Sequence, residues 1–292
     1  MYKADNAIIL AAGTSSRFAP LSFERPKALV EVRGEVLIER QIRQLQEAGI
    51  PAIYVVTGYK AEQLAYLKDK FGVELIHNPD YLTRNNNASI YVARHVLRNS
   101  YICSADNYFA ENPFTPEVDG SYYAAVYADG ETAEWCMTTD AHGIIHSVTV
   151  GGHDAWYMLG HTFWDERFSR RFLEILLAEY DKPETADKLW EDIYIAHLDE
   201  LKMAMRKYGD GTIFEFDTLD ELRAFDESYC DDTRSAILRR IAGELQCRQR
   251  EITDIRAYRG GANDAAGFTF TLRGRSYRYA YETQALSINE HQ

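Results

Sequence analysis

Apolar residues fall into short, closely spaced blocks separated by polar loops. Ala7-Ile8-Ile9-Leu10-Ala11-Ala12 is an unbroken apolar run that stops at Gly13. A run of this length without alternation predicts a strand covered on both faces. From Glu35 to Ala48, Ile38, Ile42 and Leu45 recur at helical spacing, and Gly49 is a natural stop. Ile53-Tyr54-Val55-Val56 predicts a second strand, a helix follows over Ala61 to Phe71, and Val73 to Ile76 predicts a third strand. Asn85-Asn86-Asn87-Ala88-Ser89 precedes a helix carrying Ile90, Ala93 and Leu97, and Tyr101-Ile102-Cys103-Ser104 predicts a fourth strand. Alternation of strand and helix implies a parallel sheet with helices on both faces, whose ligands bind at the carboxyl ends of the strands.

The middle of the chain is richer in strand. Three segments are predicted, Tyr122 to Tyr127, Ile144 to Val150 and Trp156 to Phe163. Helices follow around Phe168, Phe172, Ile175 and Leu176, and around Ile193, His197 and Leu201. Thr212 to Phe216 predicts a last core strand, and Thr218-Leu219-Asp220-Glu221 has the capping-box form that opens a helix. Asp231-Asp232-Thr233 reads as a linker. Beyond it come one helix (Ile237, Leu238, Ile241, Leu245) and short strands around Ile252 to Tyr258, Phe268 to Leu272 and Tyr277 to Tyr281. The expected domains are therefore 1–230 and a small α+β appendage over 231–292.

Composition narrows the function. The 292 residues are 46% hydrophobic and 26% charged, enough for a substantial core without staples. The formal net charge of −13 repels a polyanionic backbone, so nucleic acid is not an expected partner. No apolar run approaches membrane-spanning length, and the N-terminus enters the first strand without a signal-peptide pattern, so no membrane partner and a cytoplasmic location are expected. Cys103, Cys136, Cys230 and Cys247 form no CxxC pair, and free thiols are expected.

The strongest chemical signal is Leu10-Ala11-Ala12-Gly13-Thr14-Ser15-Ser16-Arg17-Phe18-Ala19-Pro20, followed by Arg25-Pro26-Lys27-Ala28-Leu29. A strand opens into a glycine-started loop whose amides can wrap phosphate oxygens, with Arg17 as a forked donor and Lys27 as a point cation. It is neither a P-loop nor a dinucleotide fingerprint, and a plain surface loop with incidental basic residues is the competing reading. Asp106, in Ser104-Ala105-Asp106-Asn107, lies at a predicted strand end. Glu215 and Asp217, in Phe214-Glu215-Phe216-Asp217, share a face if that strand continues. Taken singly, Asp106 could be a turn aspartate and Asp217 a helix cap.

In this order, LAAGxxSRxxP…PKALV, NN…S, SADN and EFD, the motifs resemble the sugar-phosphate nucleotidyltransferase superfamily. Within it the chain is similar to the bacterial CTP:phosphocholine cytidylyltransferases over about residues 7 to 228. The resemblance implies a Rossmann-like nucleotidyltransferase, an α/β domain with a mostly parallel mixed sheet and helices on both faces. It implies transfer of CMP from CTP to phosphocholine with Mg2+ as cofactor. The implied catalytic residues are Arg17, Lys27 and Asp106, and the implied metal ligands are Asp106, Glu215 and Asp217. Leu10, Ala12, Gly13, Thr14, Ser15, Ser16 and Arg17 would hold the nucleotide, with Asn87 and Ser89 meeting cytosine and ribose. An unadorned turn and cap is the alternative for those last two.

Lys27, Trp135, Trp190, Asp192 and Glu215 would hold the acceptor, whose quaternary ammonium suits aromatic faces and carboxylates. A core role is the alternative for either tryptophan. Ser15 stands where many members have glycine and is accommodated if its φ is negative. Leu189 stands where some relatives have tyrosine, which leaves room for a primary amine. Phosphoethanolamine or 2-aminoethylphosphonate is therefore the alternative acceptor, and a non-catalytic CTP-binding regulatory protein the alternative of another class.

Residues from about Thr233 to Tyr281 resemble the start of a bacterial choline kinase, with Gly260 and Gly261 between strands. The chain ends at Gln292 without a kinase's catalytic aspartates, so packing against the main domain or a homodimer contact is the expected role. Removal of this tail is expected to preserve the chemistry.

Overall fold

A computed structural model describes residues 1–259 and 265–289. The expected glycine turn at Gly260 and Gly261 lies outside the described residues. The chain forms two compact units that cut it elsewhere than at residue 231. The first comprises Met1–Ala12 and Ile38–Glu215, the second Gly13–Leu37 and Phe216–Gln292.

Besides a two-residue pair, Tyr2–Lys3 with Glu117–Val118, the strands of the first unit are β1 (Asn6–Ala11), β2 (Ile53–Thr57), β3 (Glu74–His77), β4 (Ser100–Ser104), β5 (Asn107–Phe109), β6 (Tyr122–Thr139), β7 (Ile145–Trp164), β8 (Ala204–Lys207) and β9 (Ile213–Glu215). Its helices are α1 (Leu37–Glu47), α2 (Tyr66–Phe71), α3 (Asn87–Val92), α4 (Glu166–Glu179) and α5 (Trp190–Ala196). Seven strands form one sheet in the order β8-β6-β7-β4-β1-β2-β3. β1 runs parallel to both β2 and β4, with Ala7 opposite Ile53 and Tyr101, whereas β7 is antiparallel to β4 and to β6. The expected mostly parallel mixed sheet is thus present, with β1 central and buried. A continuous core of Ile8, Val56, Ile102, Trp164, Phe172, Trp190 and Tyr194 packs around it.

The middle differs from the expectation of three strands. β6 and β7 are one long antiparallel hairpin, paired from Tyr122–Phe163 to Thr139–Ile145 with several register shifts. Its polar outer stretch is largely solvent-exposed, so no buried face marks it as strand in the sequence. β5 and β9 form a separate antiparallel pair, with Asn107 opposite Glu215. β9 stops at Glu215, so strand alternation does not reach Asp217 as expected.

In the second unit, Gly13–Leu37 carries a short antiparallel pair, Glu31–Val32 with Glu35–Val36. The later segment supplies α6 (Leu219–Phe225), α7 (Ala236–Glu244) and the antiparallel sheet β10 (Ile252–Arg259), β11 (Ala265–Leu272), β12 (Arg275–Ala280), β13 (Leu286–Ile288). Thr218 caps α6 by accepting from the Glu221 amide, as the sequence predicts. Glu221 completes the turn differently, accepting from the amide of Asp217 at 2.7 Å. The expected linker is ordered structure: Thr233 is fully buried, and its amide donates to Gln249 Oε1 at 3.0 Å. Among the described residues no helix is long and apolar enough to cross a membrane.

Candidate functional site

Within the first unit, β1 ends at Ala11, and buried Ala12 is pinned where the chain leaves the sheet. The Tyr59 amide donates to the Ala12 carbonyl at 3.0 Å. Gly58 is required there, because a Cβ at that position would lie 2.8 Å from the Ala12 oxygen and 2.9 Å from its Cβ.

Asp106 sits in the turn between β4 and β5. Gln41 of α1, almost wholly buried, donates from one Nε2 to the carbonyls of Ser104 at 2.7 Å and Asn107 at 3.0 Å. Both ends of the two-residue turn are therefore tied to a helix. Asn107 Nδ2 donates to Glu215 Oε2 at 3.2 Å across the β5–β9 pair. Asn107 Oδ1 is buried and meets no hydrogen-bond donor among the described residues. The cluster offers hard oxygens, the donor type a divalent cation such as Mg2+ takes. Among the described residues no three His, Cys, Asp or Glu side chains form a ready cation cage. Mg2+ seldom needs one, since phosphates and water complete its shell.

The asparagines before α3 do architectural work. Asn87 is fully buried, and its amide donates to the carbonyls of Thr185, at 2.9 Å, and Lys188. Ser89 Oγ accepts from Asn78 Nδ2 at 3.2 Å. Asn86 Oδ1 accepts from the Trp190 amide at 2.7 Å and its Nδ2 donates to Glu191 Oε2 at 3.1 Å, so this turn anchors the start of α5.

Trp190 itself is 2% exposed, with Tyr123 stacked at 5.8 Å and Trp164 edge-on at 5.0 Å. It belongs to the core and not to an open wall. Asp192 is occupied as a cap, its Oδ2 accepting from the Leu189 amide at 2.7 Å. Trp135, on β6 opposite Val150, is partly buried and remains an accessible aromatic face.

The acidic residue the sequence did not single out is Glu191. It accepts from Asn86 and from the Tyr123 hydroxyl at 3.5 Å, and burial pushes its carboxyl up to about 7. Burial, then the charges of Glu191 and Glu215, hold the Tyr123 phenol well above its ordinary value. Burial, then Glu134, Glu215 and Asp210, raise Tyr157 as well.

The sign of the Glu191 effect is testable. Its folded value lies above the ordinary 4.5, so its contribution to stability is complete below about pH 4.5 and is lost as pH rises through 7. Glu191→Gln removes that loss. The melting temperature of the variant relative to the parent is expected to rise between about pH 5 and pH 7 and to level off above, as read by calorimetry; a pH-independent difference would deny the shift.

In the second unit, Gly13 is exposed and Thr14, Ser15 and Ser16 are half-buried. Ser15 has φ +48° and ψ +45°, in the left-handed region, contrary to the expected negative φ. Its carbonyl accepts from the Phe18 amide at 2.9 Å, closing the turn Ser16–Phe18 that presents Arg17. An L-residue there costs about 1–2 kcal/mol. Arg17 Nη1 lies 2.7 Å from Asp217 Oδ2, and Lys27 Nζ lies 3.5 Å from Asp217 Oδ1. Lys27 is 4% exposed, and Phe18 lies beneath its ammonium at 5.6 Å; Arg17 is 75% exposed. Three of the expected site residues thus converge, with the aspartate expected at a metal holding both cations expected at phosphates.

Comparison with known proteins adds identity to this geometry. A model of the MobA-like NTP transferase domain matches residues 7–157. Choline-phosphate cytidylyltransferase of Streptococcus pneumoniae is 34% identical over 221 residues, covering 76% of this chain and 96% of its own. The 2-aminoethylphosphonate cytidylyltransferase of Lancefieldella rimae is 35% identical over 228 residues, covering 77% and 93%. The solved structure of the CTP:phosphocholine cytidylyltransferase from Streptococcus pneumoniae superposes with a TM-score of 0.74 at 33% identity, spanning 78% of this chain and 99% of that one.

Proposed function

Because the chain belongs to the MobA-like NTP transferase family, we propose that it transfers CMP from CTP to phosphocholine, giving CDP-choline and pyrophosphate. An oxygen of the acceptor phosphate attacks the α-phosphorus in line, the bond to the bridging oxygen breaks, and pyrophosphate leaves. The attacking group is already anionic, so no general base is needed, and catalysis reduces to positioning and charge neutralisation.

The residues divide that work. Asp106 and Glu215 would hold Mg2+, which when bound supplies neutralisation of the triphosphate. The loop amides from Gly13 to Ser16 bind phosphate oxygens. Arg17 and Lys27 oppose negative charge on the departing pyrophosphate and on the α-phosphate, and Asp217 keeps both cations oriented when no nucleotide is present.

The acceptor reading rests on the half-buried aromatic face of Trp135. A quaternary ammonium donates no strong hydrogen bond and is recognised by aromatic faces and by nearby negative charge. Trp135, half-buried on β6 beside the exposed Glu134, would supply both. The burial of Trp190 and the presence of Leu189 favour a second reading, a primary amine such as 2-aminoethylphosphonate or phosphoethanolamine, whose ammonium needs a hydrogen-bond acceptor in place of an aromatic cage.

Pyrophosphate release decides between them. With CTP and Mg2+, kcat/KM for phosphocholine is expected to exceed that for 2-aminoethylphosphonate and for phosphoethanolamine by at least about tenfold, the scale of one well-fitted group in a pocket. The opposite order would establish the primary amine. Binding of CTP without turnover of any acceptor would overturn the enzymatic reading.

A further inference from the structure

The loop that carries Arg17 and Lys27 forms one compact unit with the C-terminal helix and sheet. The contacts are specific. Glu24, in the single helical turn Leu21–Glu24, reaches the start of α7: Oε1 accepts from Ser235 Oγ at 2.6 Å and from the Ile237 amide at 3.0 Å, and Oε2 accepts from the Ala236 amide at 3.1 Å. Ser235 caps the same helix through the Leu238 amide at 3.0 Å. A carboxylate on free amides at a helix start is favoured by hydrogen bonding and by the helix dipole together. Phe23 stacks on Tyr281 with ring centres 3.8 Å apart and planes 6° from parallel. Arg25 Nη2 donates to the Arg234 carbonyl at 3.2 Å, and the Tyr229 hydroxyl to the Glu31 carbonyl at 2.6 Å. The turn Ser16–Phe18, which presents Arg17, packs on β10.

We propose that the C-terminal helix and sheet act as a buttress that holds the Gly13–Leu37 loop in its phosphate-binding conformation, with Glu24 and the Phe23–Tyr281 stack as the positioning residues. The physical case is one of entropy. The loop has little regular structure of its own and carries Ser15 in a left-handed conformation that an isolated segment would relax. The contacts at residues 23, 24, 25 and 31 are distributed between Arg17 and Leu37, so each fixes backbone near a cationic side chain. Ordering the loop before CTP arrives removes that cost from binding. This assignment of the loop to CTP phosphates rests on the function proposed above; the buttressing itself does not.

Two substitutions in the full chain, Glu24→Ala and Tyr281→Leu, test it by two independent readouts. Hydrogen exchange without nucleotide is expected to quicken about tenfold at amides of residues 14–30, while β1 and β4 keep parental rates. The KM for CTP is expected to rise about tenfold, with the KM for the acceptor within twofold of the parent. Glu24→Gln, which keeps an acceptor oxygen for Ser235, should recover part of both. A general loss of stability would quicken exchange in β1 and β4 equally and would move both KM values, and that result overturns the proposal. So do parental loop exchange and parental KM for CTP in both folded variants. If the parent releases no pyrophosphate yet the loop loosens as described, the buttress stands and the proposed activity falls.

Discussion

Asp106→Asn is expected to lower the rate of pyrophosphate release about 10³-fold at saturating CTP and acceptor and at the Mg2+ concentration that just saturates the parent, a loss of about 4 kcal/mol in transition-state stabilisation. Asparagine matches aspartate in shape and keeps one carbonyl oxygen, so what is removed is the negative charge that would anchor a dication. The change should leave the fold alone. The turn is tied at both ends through Gln41 to the carbonyls of Ser104 and Asn107, and neither bond involves the Asp106 side chain. Circular dichroism and melting temperature should stay close to those of the parent. Raising Mg2+ should restore part of the rate, because a weakened site still fills at higher concentration. Parental activity would remove Asp106 from the cation-binding role. A lost rate accompanied by a collapsed melting temperature would mean that the side chain maintains the turn.

Elements whose residues face one environment throughout were legible in the sequence. β1 is a continuous apolar run because both of its faces are covered, and the strand and helix alternation that follows it gave the parallel part of the sheet. The β6–β7 hairpin was not legible beyond its ends, since its outer part is half-exposed on both faces and its polar residues match a loop as well as a strand. The stretch Asp231-Asp232-Thr233 failed in the opposite direction. It is polar enough for a linker, yet Thr233 and Ser235 are fully buried because Gln249 and Glu24, distant in sequence, satisfy them.

The candidate site divides along the same line. Arg17, Lys27 and Asp217 were legible as motif members, and the structure brings them together. Asn87 and Asp192 have the right chemistry for ligands but are engaged with nearby backbone, and nothing in a residue's type reveals which partner it takes. Glu191 was passed over because its burial comes from Asn86 and Tyr123, segments far from it in the chain. Ser15 shows the limit for backbone: its left-handed φ follows from the turn that Phe18 closes, and serine gives no local sign of it.

Lys27→Met is expected to cut kcat by about 10³-fold while leaving stability within about 1 kcal/mol of the parent. Lys27 is nearly buried, and its ammonium lies near Asp217 and over Phe18. Removing one member of a buried ion pair is normally damaging, because the other charge is left alone. Here Asp217 keeps Arg17 at 2.7 Å, and methionine fills the volume of the lysine stem against the Phe18 ring. The stability cost is therefore small, and the loss should fall on chemistry, since a flexible thioether cannot meet charge developing on the α-phosphate. Arg17→Ala gives the comparison. Arg17 is largely exposed, so solvent screens its charge and its removal should act less on kcat than on the KM for CTP. Pyrophosphate release with a full titration of CTP separates the two effects, and chemical denaturation supplies the stability. A loss below tenfold in kcat for Lys27→Met at parental stability would transfer the neutralising role to Arg17, whereas parallel falls in kcat and stability would make Lys27 a structural partner of Asp217.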